Sequence, residues 1–255
     1  HMTPLVFLHG VGGGHHAWES QVPYFGGLGY PSHAWDQPGY GKSAIVEPYD
    51  LEHVSASLAL LIESPGGEPV VLIGHSMGGF IAQETYARYP QLVKALVLCF
   101  TSPAFAGGTS EFTKQFLAAR IGPLDEGRTM AEIAAKIIPT MGSNSKLAER
   151  IMANVPPDTY RKAVQLLTTF DRRKELAGIK VPTLVVADRA NEKYIAHLSD
   201  ADAVKLILQG CGTGGQCLDY LKTTIRHLDE LGIAEGRLHR ITKLAERAIE
   251  KNRTG

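Results

Sequence analysis

The chain has 255 residues, 44% of them hydrophobic and 20% charged, with 26 basic side chains against 26 acidic ones. That is enough for one large domain or two small ones, and the apolar content excludes a disordered chain. The balanced charge offers no electrostatic footprint for nucleic acid or an anionic membrane, and no apolar run reaches membrane length. Three cysteines, an odd number, fit a reducing cytoplasm better than a disulfide framework. His1-Met2 reads as an expression remnant, and Thr3–Leu8 is too short for the apolar region of a signal peptide.

PLVFLHG (Pro4–Gly10) predicts a buried strand that ends in turn residues. A helix follows around Trp18–Phe25, then a weaker strand at Ser32–Asp36 (SHAWD). Leu51–Ser64 has amphipathic spacing, with Asp50 as its N-cap. PVVLIG, ending at Gly74, predicts the third strand, and Met77–Tyr89 the helix after it. ALVLCF (Ala95–Phe100), PTLVVA (Pro182–Ala187) and AVKLILQG (Ala203–Gly210) predict three more strands. Glu111–Phe170 has helical patterning and no convincing strand, and Pro156-Pro157 divides it. Helices at Leu218–Leu231 and Thr242–Lys251 end the series. Strands alternating with helices predict an α/β fold with a mostly parallel sheet covered on both faces.

Gly74-His75-Ser76-Met77-Gly78 fits G-x-S-x-G, set between VVLI and a helix. A strand that becomes a helix within a few atoms holds the serine in a strained backbone region. Side chains at the flanking positions would collide there, hence the glycines. The serine then stands over the carboxyl end of the sheet, at a helix N-terminus whose dipole favours developing negative charge. Ser76 is therefore the candidate nucleophile; the bland alternative is a tight turn with an incidental serine. His75 is its neighbour in sequence, and adjacent side chains on such a turn point apart, so it is read as packing. Gly12-Gly13-Gly14 could be a flexible loop or a phosphate cradle, but no Lys-Ser/Thr follows to support the latter.

Four stretches occur in the order of motifs in a known family: FLHGVGGGHHAW (Phe7–Trp18), WDQPGYGKS (Trp35–Ser43), GHSMGG (Gly74–Gly79) and DRRKELAGIKVPTLVV (Asp171–Val186). Over about residues 4–186 the chain resembles the α/β-hydrolase superfamily, most of all its small esterases and the enol-lactonases that open 3-oxoadipate enol-lactone. The resemblance implies an α/β core over residues 3–110 and 171–255, with 111–170 as a helical cap. It implies an acyl-enzyme at Ser76, an oxyanion hole made by the backbone N–H groups of Val11 and Met77, a small ester or lactone as substrate, and no cofactor. Asp36, Gly39, Gly41 and Ser43 match a turn that holds loop shape. Trp18, Phe105, Phe112 and Phe116 are candidates to line an apolar pocket, or ordinary core.

The part from 188 to 255 departs from the family. There the chain order is Ser, then Asp or Glu, then His. After Pro182–Ala187 the sequence VVADRANEKY lacks the usual glycine and has Asn191 at the position of the acid. Asp188, at the strand end, is the candidate acid, with Glu192 nearby; a helix N-cap is its bland role. The base belongs in the loop after the next strand, where Gly210-Cys211-Gly212-Thr213 presents threonine in place of histidine. No motif supports His15, His16, His197, His227 or His239, and the downstream three read as surface residues. Cys211 and Cys217 lie in a segment faintly similar to small hydrogenase iron–sulfur subunits. They are two ligands where a cluster or structural zinc needs four, so no metal is assigned. Two readings remain: a serine hydrolase impaired by the missing histidine, and a non-catalytic pseudo-hydrolase or engineered chimera.

Overall fold

The computed structural model describes residues 2–64, 66–105, 110–140, 146–186, 199 and 237–254. Five parallel strands form one sheet in the order β2-β1-β3-β4-β5: β1 Leu5–Leu8, β2 Ser32–Trp35, β3 Val70–His75, β4 Val93–Cys99 and β5 Thr183–Val186. The inner strands read as apolar runs because both sheet faces are covered. Residues alternate between those faces. Val6, Leu8 and Leu72 enter the main core, whereas Leu5, Phe7 and Ile73 build a smaller cluster on the other side. Helices α1 (Gln21–Gly27), α2 (Leu51–Ile62) and α3 (Met77–Arg88) connect the first four strands. Asp50 caps α2, accepting the His53 N–H at 2.8 Å.

Between β4 and β5 lie four helices: α4 Ser110–Asp125, α5 Met130–Thr140, α6 Lys146–Ala153 and α7 Pro157–Leu167. Pro157 opens α7 at a first-turn position that needs no N–H donor. Met130, Ile133, Ala134, Ile137 and Ile138 follow helical spacing on α5 and are buried. They share one continuous cluster with Leu58, Leu72 and Ile81 of the sheet layers. A last helix, α8 (Arg237–Thr254), adds Ile241 and Ala245 to the same core.

Two local expectations change, and one open reading is resolved. The helix expected at Trp18–Phe25 is a 3-10 turn at His15–Trp18 followed by α1. Trp18 takes the core reading: its ring lies 5.1 Å from that of Phe7 in the smaller cluster. His239 is buried on α8 rather than at the surface. The strand expected at Ala203–Gly210 and the helix at Leu218–Leu231 lie outside the described residues.

Candidate active site

The strand order places the site. From β1 the chain moves one way to β2, and from β3 the other way to β4 and β5, so the order reverses between β1 and β3. A crevice at the carboxyl ends of the strands opens at such a switch point. Leu8 pairs with Gly74, and His75 with Cys99. The loop after β1 and the turn after β3 are therefore neighbours.

Ser76 is that turn. Its φ of 52° and ψ of −115° lie in a region that side-chain-bearing residues avoid. Close packing holds it there. A Cβ on Gly74 would come within 2.4 Å of Gly78 O, and one on Gly78 within 2.1 Å of Leu8 O. The Ser76 N–H donates to Cys99 O at 3.0 Å. Its side chain does not cap α3 and has no hydrogen-bond partner among the described residues.

The two expected oxyanion donors are oriented through the carbonyls on the other side of their peptide planes. A trans peptide sets N–H and C=O antiparallel. The Ser76 carbonyl accepts Thr101 Oγ1–H at 2.8 Å and Gly79 N–H at 2.9 Å, so it points into α3. The Met77 N–H, first in the helix, must point outward. In the β1 loop, Gly10 O accepts His9 Nδ1–H at 2.8 Å and Gly13 N–H at 3.0 Å. That turns the Val11 N–H away from the turn's interior, and it has no partner among the described residues. Gly10 itself lies against Ser76: a Cβ there would sit 3.5 Å from Ser76 Cβ.

Residues that the sequence reading left aside fix this loop. Gln37 Nε2 donates to His9 O, and Tyr40 Oη to Val11 O at 2.5 Å. His9 Nε2 accepts the Gln37 N–H at 3.1 Å. His9 is fully buried, and desolvation lowers its pKa to about 4, so the ring is neutral with the proton on Nδ1. Gln37 and Tyr40 sit inside WDQPGYGKS, so their position was visible and their contacts were not. Asp36, Gly39, Gly41 and Ser43 shape the same turn. Gly39 and Gly41 have positive φ, and Ser43 Oγ donates to Asp36 O at 2.6 Å. Asp36 also takes the His15 N–H at 2.8 Å and His15 Nδ1–H at 2.7 Å, which orients an imidazole five residues after Gly10. His75 rests its ring edge-on to Phe100 at 6.2 Å, and partial desolvation lowers its pKa. The helical insertion reaches the loop through α6, where Met152 Sδ lies 3.2 Å from a Cβ built on Gly12.

Asp188, Asn191, Glu192, His197, Cys211, Thr213, Cys217 and His227 lie outside the described residues. Of the candidate pocket rings, Phe105, Phe112 and Phe116 pack on one another, with Phe105–Phe116 centroids 4.9 Å apart. No helix among the described residues is long and apolar enough to cross a membrane.

Known proteins are similar to this chain in sequence and in fold. Lipase LipV of Mycobacterium tuberculosis (strain ATCC 25618 / H37Rv) is 30% identical over 203 residues, covering 75% of this chain and 76% of that protein. A pimeloyl-[acyl-carrier protein] methyl ester esterase of Hamiltonella defensa is 38% identical over 101 residues, 40% of this chain and only 37% of that esterase. Other matches at 38% identity likewise span 38% of the relative's length. The crystal structure of the enol-lactonase from Burkholderia xenovorans LB400 superposes with a TM-score of 0.65 at 18% identity, over 81% of this chain and 80% of that one. The model of the alpha/beta hydrolase fold matches residues 3–194. With Ser76 at the strained turn after β3, the chain belongs to the α/β-hydrolase family.

Proposed function

We propose that the protein is a serine hydrolase that cleaves a small ester or lactone through an acyl-enzyme at Ser76. The observation that carries this reading is the strained Ser76 at the turn after β3, with Gly10 of the β1 loop packed against it; the N–H groups of Val11 and Met77 are the oxyanion donors on this reading. Ser76 Oγ attacks the carbonyl carbon. The carbonyl π electrons move to oxygen, and the two N–H groups receive the oxyanion. Collapse breaks the acyl C–O bond, and the leaving oxygen takes up the proton that the Ser76 hydroxyl gave up; water then attacks the acyl-enzyme, its oxygen staying with the acid and a proton returning to Ser76 Oγ. Residues 111–170 act as the cap over this cleft. Esterases, a lipase and an enol-lactonase among the similar proteins agree with this substrate class.

Turnover is impaired in this reading. A serine of ordinary pKa needs a base oriented by an acid. Asp188 is the acid on this reading, and no histidine ring hydrogen-bonds to Ser76 Oγ among the described residues. General-base help is worth about 10²–10⁴-fold, so the expected activity is slow cleavage of activated esters. The test is p-nitrophenyl acetate hydrolysis by wild type and Ser76→Ala: slow turnover that disappears in the variant supports the reading. Fast turnover of alkyl esters would reveal a base, which substitution of His15 and the other histidines would locate. The second reading, a non-catalytic ligand-binding relative, is favoured by Thr213 at the family's histidine position and predicts no Ser76-dependent turnover. A cytoplasmic location accords with the cysteine content.

A further inference from the structure

Among the described residues other than glycine, only Ser76 and Phe100 have positive φ, at 52° and 48°. Strain of this kind persists only where the surroundings enforce it. Phe100 follows β4, whose last residue, Cys99, pairs with His75. The turn at Phe100 lets the chain grip the Ser76 backbone twice. Cys99 O, before the turn, accepts the Ser76 N–H at 3.0 Å. Thr101, after it, donates through Oγ1 to Ser76 O at 2.8 Å. The Phe100 N–H donates to Val186 O at 2.8 Å, which pins the turn to β5.

Thr101 is 7% exposed, and a Cβ on Gly79 would collide with its side chain. The last glycine of GHSMGG, one beyond the G-x-S-x-G pattern, therefore makes room for this hydroxyl. Gln83 Nε2 donates to Gly79 O at 3.1 Å and to Ser102 O at 3.0 Å, tying the first turn of α3 to the residue after Thr101. Within α3, the N–H groups of Gly79 and Phe80 donate to Ser76 O at 2.9 and 3.4 Å, but those bonds move with the helix. Among the described residues, Thr101 alone holds that carbonyl from outside α3. The Ser76 carbonyl and the Met77 N–H share one planar peptide. A hydrogen bond to the carbonyl fixes the direction of the N–H. It also polarises the amide, which makes the N–H a stronger donor.

We infer that Thr101 is a positioning residue for the oxyanion hole: through the Ser76 carbonyl it aims and strengthens the Met77 N–H. This rests on the hydrolase reading for its link to turnover. The test is kcat and KM for p-nitrophenyl acetate, with the Ser76→Ala rate subtracted, in wild type, Thr101→Val, Thr101→Ala and Thr101→Ser. Loss of a whole oxyanion donor costs roughly 10²–10³-fold in kcat. Thr101→Val loosens one donor without removing it, so kcat should fall about tenfold with KM within about twofold. Thr101→Ala should fall at least as far, and Thr101→Ser, which keeps the hydroxyl, should recover most of the rate. Asp50→Ala, which loosens α2 away from the site, should leave kcat unchanged. Circular dichroism checks that each variant is folded. Wild-type kcat in both hydroxyl-free variants, a loss confined to KM, an equal loss in Thr101→Ser, or a matching loss in Asp50→Ala would overturn the role. No Ser76-dependent turnover in the wild type would instead defeat the hydrolase reading, and this role with it.

Discussion

Gly78 shows how tightly single residues are specified around Ser76. An added Cβ would meet Leu8 O at 2.1 Å, and that atom belongs to backbone that cannot rotate away. Gly78→Ala should therefore destabilise the protein by about 1–3 kcal/mol or more, read as a lower thermal midpoint, and should displace Ser76 as well. His9 gives a pH signature. Its pKa falls from 6.5 unfolded to about 4 folded because burial disfavours the imidazolium. Between those values the unfolded chain binds more protons, so stability falls as pH drops through that window. At 1.36 kcal/mol per unit the loss approaches about 3 kcal/mol. Urea melts between pH 7 and pH 4 should show it, and His9→Gln should flatten it. The strained turn at Ser76 and its glycines were legible because their spacing is local. The tethers from Gln37 and Tyr40 to the β1 loop were not, because they depend on how residues nearly thirty positions apart come into register.

The helix α3 carries a buried charge that joins two elements. Glu84 is almost fully buried. Burial alone would raise its pKa, but hydrogen bonds from Arg172 and Arg88 outweigh that and hold the carboxylate below its usual range. Arg172 donates through Nε and Nη2 at 2.9 and 2.8 Å, fixing the segment that enters β5 against α3. Removing one partner of a buried pair typically costs about 3–5 kcal/mol. Because Arg88 remains, Arg172→Gln should fall toward or below the lower end of that range in chemical denaturation. Asp50→Ala should cost α2 about 1 kcal/mol through its lost cap. Periodicity announced most described elements of the α/β core within a few residues of their ends, and gave the insertion only as one helical stretch, Glu111–Phe170. It failed at His15–Trp18, where the backbone closes as a 3-10 turn around the loop that Asp36 anchors, and it left Trp18 open between pocket and core, because spacing does not say which sheet face a ring will cover.

At the scale of the whole molecule, the reversal of strand order between β1 and β3 brings Gly10 and Ser76 together, and the helical insertion completes the neighbourhood through Met152 and Thr159. The four motifs made the fold family legible; the missing glycine after β5 and Thr213 made the acid and base illegible, since no local pattern stands in for them. The central claim is that Ser76 is a nucleophile beside an oxyanion hole, and a fluorophosphonate reads that most directly because its adduct traps the serine oxygen. Intact mass and peptide mapping should show slow, single labelling on the peptide containing Ser76, and none in folded Ser76→Ala. A folded wild-type protein that stays unlabelled, or carries its label elsewhere, would contradict it.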